Sequence, residues 1–142
     1  MHNLCMNLYF ICSIIKISNM DINKIKEKIK ADPYKAFMNL SEELRDNEEI
    51  VLYAVSVYHI NLFYANKRFI KDEDFMLRAM KVDFAALEFA DESLYYTREF
   101  IIKAVSTAPE SFFLIPDEFY SDKEIREIAG EHVKIVDEFL KS

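Results

Sequence analysis

The chain has 142 residues, enough for one compact domain and too few for two comfortable ones. With 51% hydrophobic residues, 30% charged residues and a single glycine, it is neither a disordered nor a loop-rich polypeptide. Its formal net charge of −7, with Lys and Arg scattered along the chain, argues against a groove that tracks nucleic-acid phosphates, because such grooves need clustered cations.

Residues 1–19 differ from everything after them. Leu4, Leu8, Tyr9, Phe10, Ile11, Ile14, Ile15 and Ile17 make the segment apolar, and Lys16 is its only charged side chain. Asn3, Asn7, Ser13 and Lys16 leave too short a clean run for the ~20 apolar residues of a membrane span. As a signal peptide it lacks a basic start and a small-residue cleavage site. The first reading is a disordered appendage or a start set too early, ahead of Met20. A targeting signal and a helix packed on the body are the alternatives. Cys5 and Cys12 are the only cysteines and both lie here. The rest therefore has no disulfide framework and no thiolate metal site, which suits a reducing, cytoplasmic setting.

From Met20 to Ser142 a single domain is expected. It opens with a lysine-rich stretch, Asp21 to Lys30, whose Ile22, Ile25 and Ile29 fall on one side and read as an N-terminal capping helix. Then the chain repeats itself. Shifting it by 25 residues superposes the segments starting at Leu40, Ala65, Ala90 and Ile115, which defines four units over about 34–58, 59–83, 84–108 and 109–133. The column Ala54, Ala79, Ala104 and Ala129 is invariant among them. Apolar columns accompany it at Phe37, Leu62, Leu87 and Phe112, at Leu44, Phe69, Leu94 and Phe119, and at Ile50, Phe75, Phe100 and Ile125.

Each unit reads as a hairpin of two short helices, too short to be stable alone. The first carries the Phe37 and Leu40 columns. The second starts at Asn47, Asp72, Thr97 or Asp122, all good N-caps, and has a carboxylate two residues on at Glu49, Asp74, Glu99 or Glu124. A ladder of carboxylates binding cations or basic peptides is the other reading of that column, and its place in the first helical turn already accounts for it. In the fourth unit Arg126 and Glu127 replace apolar pairs, as a cap requires. A capping-box pattern, Ser121 to Glu124, opens its helix, which is expected to run on through Val133, Val136, Phe139 and Leu140 with Gly130 as a kink or a weak point. The predicted fold is all-α: a short helical repeat array of four 25-residue hairpins with capping helices at both ends.

The blocks LSEELRDNEEIVLYAV and FADESLYYTREFIIKAV resemble the repeat of the domain-of-unknown-function family numbered 4116, over about residues 37–130. The joints differ from that family's usual Asn-Gly, reading Val57-Tyr58-His59, Val82-Asp83-Phe84 and Thr107-Ala108-Pro109. The resemblance implies the repeat and no activity.

Catalytic motifs are absent: no Gly-rich phosphate loop, no HExxH pair, no Gly-x-Ser-x-Gly elbow. No enzyme activity, cofactor or metal is expected. His59 and His132 are read as surface or joint histidines. The column Arg45, Ile70, Tyr95 and Tyr120 follows the buried Leu44 column, so Ile70, Tyr95 and Tyr120 are the candidate partner surface. Sealing the gaps between units is their plainer role, and Tyr96, Phe112 and Phe113 enrich the same half in aromatics or belong to the core. The expected function is a protein-protein interaction module, with no nucleic acid bound and no membrane unless the leader is a signal. An acidic nucleic-acid mimic that blocks a basic host or phage protein is the alternative.

Overall fold

A helix over residues 21–31, α1, opens the part of the chain that this computed structural model describes, residues 21–142; the leader lies outside it. Ile29 is buried and Ile22 and Ile25 pack partly against the core, while Lys24, Lys28 and Lys30 meet water.

Every regular element among the described residues is helical. The ten-residue helices α3 (Glu48–Val57), α5 (Glu73–Val82) and α7 (Arg98–Thr107), and the shorter α8 (Lys123–Ala129), begin at 25-residue intervals. Between them run 3-10 helices at His59–Tyr64, Phe84–Phe89 and Pro109–Leu114, with successive turns over residues 33–39 in the equivalent place. Each is followed by a single turn: α2 (Glu42–Arg45), α4 (Arg68–Lys71), α6 (Glu92–Tyr95) and the 3-10 turn Asp117–Phe119.

The first helix expected in each unit is thus two pieces joined by an extended residue. Ala65 and Ile115, in the Leu40 column, have ψ near 160° and end the 3-10 helix instead of continuing it. Local sequence explains the break. The 3-10 helix repeats every three residues and runs short, and Ser41 and Asp91 then cap a new turn, accepting hydrogen bonds from Leu44 N at 3.4 Å and Ser93 N at 3.1 Å.

The long helices open as their caps require in three of four cases. Asn47, Asp72 and Asp122 accept from Ile50 N, Phe75 N and Ile125 N at 3.1, 3.0 and 3.2 Å. Thr97 differs: its hydroxyl donates backward to Ser93 O at 2.9 Å and makes no cap bond. That local bond competes with capping. The cap of α8 is Asp122 and not Ser121.

The long helices stack side by side in one layer, α3 on α5, α5 on α7 and α7 on α8, and the 3-10 helices stack beside them in a second. The core lies between. From the α layer it takes Ile50, Val51, Ala54 and Val55 and their equivalents Phe75, Met76, Ala79, Met80, Phe100, Ile101, Ala104 and Val105. The other layer supplies Phe37, Leu62, Leu87 and Phe112. Ala129 is buried like the other three alanines of its column.

Gly130 does not kink one long helix; it separates two. Its φ of +58° and ψ of −119° suit glycine alone, so α8 stops at Ala129 and α9 (Glu131–Lys141) starts afresh. A side chain there would cost about 1–3 kcal/mol. The helix α9 returns against the last 3-10 helix and α8. Arg126 explains why the fourth unit exchanges an apolar residue for a charge, since its guanidinium reaches Asp137 of α9 at 2.7 Å and Tyr120 O at 2.9 Å. No helix among the described residues is long and apolar enough to cross a membrane.

Candidate interaction surface

The residues singled out in the sequence lie at the joints between units. Ile70, Tyr95 and Tyr120 are half-buried and packed against the core, with their column mate Arg45 half-buried beside them. Arg45 donates to Leu40 O at 3.1 Å and across the joint to Tyr64 O at 3.0 Å. Tyr95 does the same one joint further on but one, its hydroxyl donating to Leu114 O at 2.6 Å. Tyr120 donates to Phe113 O at 3.3 Å. Arg45 and Tyr95 therefore tie adjacent units together, while the Tyr120 bond stays within the fourth unit, and the polar ends of the column are occupied within the chain.

A main-chain stitch runs alongside. Asn66 N donates to Arg45 O at 3.0 Å and Asp91 N to Ile70 O at 2.9 Å, equivalent bonds at the first two joints. At the third joint the donor position is Pro116, which has no N–H to give Tyr95 O.

Burial pushes the phenols of Tyr95 and Tyr120 above the ordinary tyrosine value of 10.0. The fold thus favours the neutral hydroxyl. The stability this contributes is present below the ordinary value and is lost as pH rises through the raised one. An absorbance titration of the folded protein should contain a late tyrosinate phase that Tyr95→Phe with Tyr120→Phe removes; a wild-type curve without that phase would contradict the assignment.

Charges on the α layer cross-link neighbours. Arg78 pairs with Glu48 and Lys103 with Glu73, the same two columns joined one unit apart. The guanidinium of Arg78 lowers the Glu48 carboxyl, and the Glu73 carboxylate raises the Lys103 amine. At the next position the sign inverts: Arg98 stands in the Glu48 column and forks to Asp122 at 2.7 Å and Glu124 at 2.7 Å. That fork holds the Asp122 carboxyl below the usual range. Lys26 of α1 completes the set on Glu49 at 2.6 Å. Glu49 and Glu124 of the acidic column are thus engaged internally. Exposed pairs of this kind contribute little each.

His59 and Asp83 come together, Nδ1 to Oδ2 at 3.1 Å, which the sequence reading did not anticipate for residues so far apart in the chain. The other Asp83 oxygen accepts from Ala85 N at 3.0 Å and caps the 3-10 helix. The pair is a joint contact. His132 meets the Phe113 ring edge-on at 6.0 Å. Among the described residues no three His, Cys, Asp or Glu side chains converge as a metal site would need.

The second layer carries a row that the sequence reading passed over. Met38 is 39% exposed, Phe63 57% and Phe113 39%, and the three occupy equivalent positions in units one, two and four, with Glu88 in unit three. Their neighbours Phe37, Leu62 and Phe112 are wholly buried, so the chain places one large apolar side chain inward and the next outward. Phe63 lines an open cleft of about 470 Å³ with Glu42, Arg45, Tyr64, Asn66 and Lys67, and the Lys67 amine sits 4.7 Å from its ring centre. The ring is thus an apolar surface rimmed by both signs of charge. Tyr96 also faces water, whereas Phe112 is core.

Two overlapping stretches, residues 7–70 and 47–95, match the model of a family described as "Domain of unknown function (DUF4116)". The chain belongs to this family. The two DUF4116 matches end at Ile70 and Tyr95, one 25-residue step apart and in the same column. They begin nearer the N-terminus than the resemblance read from the sequence, reaching into residues outside the described part, and they stop short of α7. No curated protein and no solved structure matched the chain.

Proposed function

We propose that this member of the DUF4116 family is a non-enzymatic protein-interaction module of the cytoplasm. The observation that carries the reading is the exposed row Met38, Phe63 and Phe113, set at one position of units one, two and four on the 3-10 layer, with Glu88 in unit three. Apolar and aromatic anchors repeated along a rigid stack suit an extended segment of another protein, and stacked repeats commonly present such surfaces. The cytoplasmic setting is supported by a body without cysteine. Anchoring on this row, and not on Ile70, Tyr95 and Tyr120, follows from the half-burial and internal bonds of the latter.

The test is capture by the full chain from source-cell lysate at low and high salt, beside Phe63→Asp with Phe113→Asp. Phe63 is the more exposed of the two at 57%, so Phe63→Asp alone should keep the wild-type melting temperature and serves as the folding control for the pair. One specific partner, held in high salt by the wild type and lost from the variant, is the expected result. A partner that the variant retains would overturn the surface. A partner released by salt from both proteins would favour the acidic mimic, since exposed charge pairing is screened beyond about 8–10 Å at ordinary ionic strength.

A further inference from the structure

We propose that residues 7–20 of this chain cover the N-terminal end of the stack, in the place of the 3-10 half of a fifth unit whose long helix is α1. The 25-residue register puts the long helix of a preceding unit at residues 23–32, and α1 covers residues 21–31. Ile25 falls in the column of Ile50, Phe75, Phe100 and Ile125, and Ile29, wholly buried, falls in the column of Ala54. Lys26 reaches Glu49 at 2.6 Å, so α1 meets α3 as the later long helices meet one another. Among the described residues this unit has its α half alone.

The burial pattern marks the face that is left open. Asn61 donates to Pro33 O at 3.2 Å, so its column points toward the preceding unit. Asn61, Ala86 and Ser111 are buried there, whereas their mate Ala36 is only half-buried. Ile25 is half-buried too, where its four column mates are buried. Apolar residues at the end of a repeat array need the cover that a neighbour gives them elsewhere.

Three observations name the leader as that cover. It runs directly into α1 and reaches the face without a linker. The family match begins at residue 7, inside the leader, so the family pattern includes this segment. In the register Cys12 falls in the wholly buried column of Phe37, Leu62, Leu87 and Phe112, and Ile15 in the column of Leu40, Ala65, Ala90 and Ile115. Ser13 falls between them, in the exposed row of Met38, Phe63 and Phe113. Asn19 in the Leu44 column and Ile17 in the Glu42 column depart from the pattern. On this inference the leader is neither an appendage nor a start set too early.

The two cysteines supply the test, since Cys5 precedes the matched stretch and Cys12 sits in the buried column. The native full chain is pulsed with iodoacetamide, and mass spectrometry follows each thiol, its rate divided by its own rate in denaturant. Cys12 should react at least about tenfold more slowly than Cys5, because it is reached only when the segment opens. The difference should not depend on protein concentration. Ile15→Asp should bring Cys12 to the Cys5 rate and Ser13→Asp should not, while Ala36→Glu, on the face itself, should free Cys12 as well. Equal native rates would overturn the proposal. So would protection lost on dilution, which assigns the cover to a second copy, or release by Ser13→Asp as readily as by Ile15→Asp. A Cys12 that stays slow in Ala36→Glu would place the leader on another surface and overturn it equally.

Discussion

Phe100→Ala is expected to lower the stability of the fold by about 3–5 kcal/mol, the range for emptying a buried phenylalanine site. Phe100 is fully buried, in the first turn of α7, and α7 packs on α5, α8 and the last 3-10 helix. The lost volume therefore opens a cavity that touches three neighbours at once, and short helices held only by packing have little of their own to fall back on. A fall in melting temperature of more than about 10 °C should follow. A change of a degree or two would mean that the stack tolerates a gap at its centre and that its units stand more independently than the shared core implies.

Ala104→Leu should also be damaging, by the opposite route and to a smaller degree. Ala104 has no exposed surface, and its column mates Ala54 and Ala79 are equally enclosed. Added methyl groups at such a site force helices apart at a cost of about 1–3 kcal/mol. Lys103→Leu, one residue away, removes only an exposed pair with Glu73 and should scarcely move the transition. Thermal unfolding followed by circular dichroism compares the two directly. Equal shifts would place the buried face of α7 one residue away from where the structure has it.

Periodicity made much of this legible. A side chain's depth in a helical stack depends on its register, so columns of Ala, Ile and Phe at one spacing marked the buried faces of α3, α5, α7 and α8. The caps Asn47, Asp72 and Asp122 declared the helix starts for a local reason, since each bond involves residues three apart or fewer. What escaped was set by competition or by distance. Thr97 is a suitable cap whose hydroxyl found Ser93 O first. Two apolar columns three residues apart fit an α-helix or a 3-10 helix, and only the extended backbone at Ala65 and Ile115 separates a continuous helix from two pieces. Gly130 was visible as a weak point, but a positive φ is a property of the packed turn. The exposed row was missed because Met38, Glu88 and two phenylalanines do not look alike; inward and outward aromatics such as Phe112 and Phe113 are chemically identical until the layer is built.

Pro116 makes the two ends of the array unlike each other. A stack of units holds together by the sum of its nearest-neighbour joints, and the first two joints include a main-chain bond with no titratable group in it. The third is fastened by side chains instead. Arg98 reaches Asp122 and Glu124 from an exposed position, and Tyr95 reaches Leu114 O with a proton it surrenders in strong base. Salt weakens the first fastening and alkali the second. The units from α1 to α7 thus form a stem stitched through the main chain, and the segment from Pro109 onward is a terminal leaf whose polar fastenings, unlike the stem's, respond to salt and alkali.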